Sequence, residues 1–369
     1  MRSSNLFLPL ATLFALSTAA YGQALPDTDT VKMEGTDSPV GFSQGGFVVA
    51  PIPIKNPTLG TGLALGGGYL FNLDEESASS YLGLGGFRTD NGSSGYGISG
   101  DVAWDKNRWN LGLTLGEVDI FYDYYVDGTD GARIPLEQTG RALDMNLKYG
   151  FTSNILVGAE FAYIESDIAV DGPGLLPPIP RKDSDLTIFK FGPTFQLDYR
   201  DDTIYPTRGS HLAVKYLYSQ VDTPVNTRNY TKATARFDSY TTIFDDVVIA
   251  TRAAACSVDD NAPFFDKCGL GSVDSFRGFP FGAVLDNALL SFQTELRGRL
   301  NDRFGYVLFA GVGDAKHDFS SLSLDEAKTS GGLGLRVRLS KKFPMDFSFD
   351  AVRASSGDDT YYIYVGQRF

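Results

Sequence analysis

The stretch SVDSFRGFPFG, residues 272–282, sets one arginine and a glycine among phenylalanines. A guanidinium stays charged at any ordinary pH and presents its donors in a planar fork. The chemistry open to Arg277 is therefore ion pairing, not proton transfer. A charge wedged among aromatics points to a loop that tucks against something. A second run, LDYRDDTIYPTRG at 197–209, also carries charge at fixed spacing. Pro206 and Gly209 suit a tight turn, because proline fixes φ and glycine permits a positive one. A turn alone does not account for Asp198, Arg200 and Asp201. Enzyme signatures are missing: there is no G-x-S-x-G elbow. The only histidines, His211 and His317, stand far apart, so neither a histidine metal pair nor a cofactor site stands out. His211 opens an alternating run and reads as a wall residue. The net charge of −13 argues against a nucleic-acid partner, which needs clustered Lys and Arg.

The elements that carry these residues read as strands. Alternation with period two recurs from about residue 60 onward. In GGLGLRVRLS, Leu333, Leu335 and Val337 oppose Gly334, Arg336 and Arg338. In LLSFQTELRGRL, Leu290, Phe292 and Leu296 oppose Ser291, Glu295 and Arg297. A soluble sandwich would alternate too. Long strands, full charges on the polar face and aromatics at strand ends favour a membrane barrel with a wet lumen. A closed barrel is also the sheet that spans lipid without unpaired backbone edges.

We expect an all-β fold: a transmembrane antiparallel β-barrel of about sixteen strands. The first strand is expected at 60–72 and the last at 360–369, with 107–116 and 118–127 in between as two strands or as one long one. Short turns alternate with long loops, which places both termini on the periplasmic side and 257–284 outside. Residues 1–24 have the layout of a signal peptide: Arg2, an apolar run, then small residues. Residues 25–58 read as a flexible lead and 59–369 as the barrel. In an exported chain, the only two cysteines, Cys256 and Cys268, read as a disulfide closing a short loop.

At these residues the sequence resembles the bacterial surface antigen barrels, the superfamily of outer-membrane assembly and translocation factors (BamA/TamA-like). In that family a long loop folds back into the lumen. Its tip carries an R-G motif between apolar residues, here Phe276, Arg277, Gly278 and Phe279. An E-L-R strand follows, here Glu295 to Arg297, and a D-x-R-D…P-x-x-G turn precedes it, here Asp198, Arg200, Asp201, Pro206 and Gly209. The chain ends on alternating residues and a terminal aromatic, here Tyr361, Ile363, Val365 and Phe369, similar to the signal by which barrels are recognised for insertion. Five strands follow the loop, as in the family.

Two features depart from it. There is no room for the usual periplasmic modules, and Gly311 stands where the family often has the acid that pairs with the loop arginine. The remaining candidate partners of Arg277 are Glu295, Asp346 and Asp350. The resemblance implies residence in the bacterial outer membrane, with lipid, the barrel assembly machinery and a protein client as partners. It implies insertion or export of a protein or lipid client. A solute pore and a surface antigen without transport are the alternatives.

Overall fold

The computed structural model describes residues 41–125, 132–171, 184–202, 205–244, 247–272, 274–338 and 346–369. The expected signal peptide and residues 25–40 of the lead lie outside them. The described strands up to the long loop are β1 (Gly46–Asn56), β2 (Gly60–Phe71), β3 (Ser80–Thr89), β4 (Ser94–Trp104), β5 (Trp109–Tyr125), β6 (Arg133–Gly150), β7 (Ile155–Val170), β8 (Asp185–Asp198), β9 (Gly209–Asp222), β10 (Thr227–Phe244) and β11 (Val247–Val258). The loop holds a two-residue ladder between β12 (Cys268–Gly269) and β13 (Leu285–Asp286). Five wall strands follow it: β14 (Ala288–Arg299), β15 (Phe304–Lys316), β16 (Lys328–Arg338), β17 (Asp346–Ala354) and β18 (Asp359–Val365).

Apart from β12 and β13, these strands close one antiparallel barrel of sixteen, each beside its sequence neighbour, with β18 returning to β1. The alternation points outward. Leu333 is 61% exposed and Phe191 is 61% exposed, whereas Arg336 is 1% and Glu295 is 0%. Apolar side chains outside and paired charges inside are the inverse of a water-soluble sandwich, and they suit a lipid belt around a polar lumen. Trp104 stacks on Trp109, whose edge meets Tyr149, forming an aromatic band at one rim. The lumen is not empty. The loop between β11 and β14 fills it, and the largest buried apolar cluster joins Phe265, Leu270, Phe276, Phe279 and Phe281 to the inner wall.

Two boundary expectations are corrected. Residues 46–56 are not a lead but a wall strand, so β1 takes the place expected for 60–72 at the closing edge, while its partner β18 is the strand expected at 360–369, ending at Val365. Pro51 and Pro53 hid β1, because proline cannot donate to a ladder on both sides and reads as a breaker. On a closing edge that cost is small. Residues 109–125 are one strand, not two, since Gly116 pairs continuously with Gly97 and Ala142. One strand missed and one split in two leave the count at sixteen.

Candidate functional site

The loop descends from β11 and is tied back to it at once. Cys256 on β11 and Cys268 in the loop form a buried disulfide, Cα atoms 5.7 Å apart. Between them, Asp266 is fully buried and receives Lys190 Nζ at 2.7 Å and Lys232 Nζ at 3.0 Å, with the Tyr230 hydroxyl donating to it as well. Burial alone would raise this carboxyl, but the two ammonium groups outweigh it and hold it well below the usual carboxylate range. Further down, Asp274 accepts from the backbone N–H groups of Gly271 (2.7 Å) and Phe276 (3.1 Å) and from the Ser291 hydroxyl. These bonds shape the tip. Here burial wins and pushes the Asp274 carboxyl up.

At the tip, Arg277 is 2% exposed and bridges two strands. Its Nη1 donates to Asp350 Oδ2 on β17 at 2.6 Å, and its Nη2 donates to Glu295 on β14. The guanidinium carbon stands 3.4 Å from the centre of the Phe309 ring. Both acids have second partners. Arg336 Nη1 donates to Asp350 Oδ1 at 2.6 Å, the Tyr364 hydroxyl donates to Asp350 Oδ2 at 2.8 Å, and Arg297 Nε donates to Glu295 Oε2 at 2.8 Å. A buried charge needs such company, since removing one partner of a buried pair costs about 3–5 kcal/mol.

Gly278 has φ +108°, and a Cβ there would lie 3.1–3.3 Å from Ser330, Ala354 and Val352. Glycine thus meets both demands, left-handed backbone and close approach. Its N–H donates to the Tyr362 hydroxyl on β18 at 2.7 Å. Phe276 and Phe279 are buried with ring centres 6.1 Å apart.

Asp346 is not brought to Arg277. It is held by Arg299 (2.5 Å) and Arg338 (2.8 Å) nearer the end of the barrel at which β1 begins and β18 ends. Gly311 now has a reason: a Cβ there would come within 2.7 Å of the Phe276 ring. The position that often carries the acid instead makes room for the loop's aromatic.

The 198–209 motif forms a structured turn. Asp198 clasps Arg200 through Nε (2.9 Å) and Nη2 (2.7 Å), and Asp201 accepts the N–H groups of Thr207 (2.9 Å) and Arg208 (3.1 Å). Pro206 is buried, and Gly209 has φ +100° where a Cβ would strike the Tyr199 carbonyl. Tyr361 faces outward on β18, along with Ile363 and Val365. Phe369 lies beyond the strand. The chain turns at Gly366 (φ +96°), and Phe369 packs inside the barrel against Tyr240, Val248 and Ala250. His211 is buried in the wall, 3.0 Å from Gln196, while His317 sits in an exposed loop beside Asp260.

The loop lies in the lumen with Arg277 on wall carboxylates, and the resemblance implied one such pair. Residues 75–369 match the Omp85 superfamily domain. The chain belongs to the Omp85 superfamily. Its fold is similar to BamA from Haemophilus ducreyi lacking POTRA domains 1–3, at 16% identity and TM-score 0.58, covering 87% of this chain and 70% of that one. It is also similar to CdiB from Acinetobacter baumannii (13%, TM-score 0.56, 87% of this chain and 59% of that one). CdiB from Escherichia coli is a further likeness (15%, TM-score 0.56, 92% and 66%). The chain thus spans less than two thirds of either CdiB. No curated protein sequence matches it.

Sequence reasoning missed several members of this Omp85 site. Phe309, Tyr362 and Tyr364 contact the tip or its acids, and Asp266 and Asp274 anchor the loop. Asp274 had a signal: it lies three residues before Arg277, in a segment otherwise poor in charge.

Proposed function

We propose that this Omp85 barrel resides in the bacterial outer membrane and inserts or exports a protein client, using the β1–β18 edge as the part that opens. The observation that carries this reading is the closure itself. β1 meets β18 at a single register position, Lys55↔Ile363, while β1 pairs with β2 along its whole length. An unbroken β1–β2 ladder leaves the missing donors of Pro51 and Pro53 on the β18 side. A poorly paired edge opens at low cost and can template an incoming strand. The role is mechanical rather than enzymatic. Lipid meets the outward apolar belt, and the terminal segment through Phe369 is read by the assembly machinery before the barrel folds. A passive solute pore fits less well, since the loop fills the lumen.

The test is the folding rate of an unfolded outer-membrane barrel added to liposomes that contain this protein. Acceleration over empty liposomes is expected. Cysteines at Lys55→Cys and Ile363→Cys, which face each other across the edge, should abolish it when oxidised. No acceleration by the unstapled protein would overturn the reading.

A further inference from the structure

The turn between β8 and β9 reaches across the barrel mouth at the end where β1 begins and β18 ends. Its Tyr205 ring lies 5.0 Å from the Arg299 guanidinium carbon and 5.4 Å from that of Arg338. Between this turn and the ends of β10, β11 and β14 is a cavity of about 420 Å³. Arg208, Arg297, Arg299, Thr207 and Thr242 line it, with Asp201 as the one acid among the lining residues. That acid is already engaged by Thr207 and Arg208 within its own turn.

The charge around this cavity runs against the charge of the chain. The protein carries −13 overall. Yet among the described residues Arg277, Arg297, Arg299, Arg336 and Arg338 share Glu295, Asp346 and Asp350 as their ion-pair partners. The surplus has a structural mark. Arg297 is 2% exposed, and its Nη1 and Nη2 are buried donors with no acceptor among the described residues. Arg299 Nη1 is in the same condition. A guanidinium N–H removed from water without an acceptor is costly, more so than a neutral donor. Three such guanidinium donors beside one cavity point to an oxyanion as its ligand; the Thr207 and Thr242 hydroxyls on its lining already donate to Asp201 and to the Thr207 carbonyl.

We propose that this cavity takes a single carboxylate or phosphate group, arriving from the solution at the end of the barrel where β1 begins. Bilayer phosphates lie outside the wall, whereas Arg297 and Arg299 point into the lumen, so a lipid headgroup is not the source. Two sources share the chemistry: the acidic side chain of an extended polypeptide, or a free anion. The site does not depend on the β1–β18 edge opening. Failure of the liposome assay leaves it standing, and its own failure leaves that reading standing.

The experiment is calorimetric titration of the full-length protein in detergent, with folding verified by heat-modifiable migration. The probes are inorganic phosphate, a capped tetraglutamate amide, and a capped tetralysine amide as control. Saturable binding of phosphate or tetraglutamate, and none of tetralysine, is expected. Arg299→Gln and Arg297→Gln should each weaken it about tenfold, one charge-assisted hydrogen bond's worth. Arg299→Gln leaves the Glu295–Arg277 bridge intact and serves if Arg297→Gln does not fold. Arg141→Gln, on the outer wall, should bind like the native protein. Tetraglutamate binding that phosphate displaces would name a polypeptide carboxylate as the ligand; binding of phosphate alone would name the free anion. Absence of saturable binding for both anions, or equal binding by folded Arg299→Gln, would overturn the proposal.

Discussion

Along β5 and β6 the ladder is unbroken from Trp109↔Tyr149 to Tyr125↔Arg133, and all 17 residues of β5 take part. Along β1 and β18 it is one position. Yet β18 is far from loose, because side chains hold it where the backbone does not. Tyr362 accepts from Gly278 of the loop tip, and Tyr364 joins Arg336 to Asp350. Phe369, past the strand's end, lies 4.7 Å from the Arg252 guanidinium carbon across the lumen. Arg252 in turn is gripped by Asp238 at 2.6 and 2.8 Å. One part of the wall is thus held by a ladder, which forms with the strands, and the other by side-chain contacts with the loop and across the lumen. The closing edge is as strong as the contents of the lumen make it.

Breaking the loop contact should therefore separate the two regions. Arg277→Ala leaves Glu295 and Asp350 without their shared partner, and a loss of about 3–5 kcal/mol in urea unfolding is expected. Amide exchange should quicken in β18 and stay slow in β5 and β6. Equal acceleration in both regions would mean that the loop supports the whole wall evenly. Arg277→Lys should recover little of the loss, since one ammonium cannot span both acids as the fork does.

A smaller effect is expected from Gly278→Val. The residue would need φ +108° and would press on Ser330, Ala354 and Val352, at a cost of about 1–3 kcal/mol. Protease cleavage within 270–284 should report it before any change at β5.

Replacing Pro51 and Pro53 together by valine works in the opposite direction. It restores two donors on the closing edge, and a gain of about 1 kcal/mol per bond formed is the upper expectation. The heat-modifiable transition should rise, and exchange in β18 should slow toward that in β5. An unchanged transition would show that the edge is limited by strand length rather than by donors.

The smallest effect is expected from mild acid. The Asp266 carboxyl is held low by Lys190 and Lys232 despite its burial. A depressed carboxyl contributes stability that is present above its unfolded value, about 4, and is lost only as pH falls through the lower folded one. Loop protection from protease should accordingly hold from pH 8 to pH 5. A loss within that window would point away from Asp266 and toward another group.

Much of this was legible in the residues. Period-two alternation specifies strands and assigns each side chain to one of two faces. For that reason Glu295, Arg297, Arg336 and Asp350 could be placed in the lumen from spacing alone. The cysteine pair and the five strands after the loop follow from local pattern in the same way, whereas the R-G motif as a lumenal loop tip is what the family resemblance implied. Turn chemistry marked Pro206 and Gly209 because their backbone demands are local. β1 was lost for the same reason: its prolines argue locally against a strand, and only its position at the closing edge makes them tolerable.

Alternation settles which face a residue takes but not its height in the barrel or what lies across the lumen. Arg277 meets acids 18 and 73 residues away, and parity gave Asp346 the same standing as Asp350. Strand stagger separated them, setting Asp350 at the depth of the loop tip and Asp346 beside Arg299 and Arg338. The inward turn of Phe369, the packing of Phe276 over Gly311 and the single pair at the closing edge were likewise decided by closure. Sequence by itself determined a lipid-facing wall and a charged loop, since both rest on local periodicity and residue chemistry. Tertiary structure decided which charges meet, because that depends on the register of sixteen strands closed into one ring.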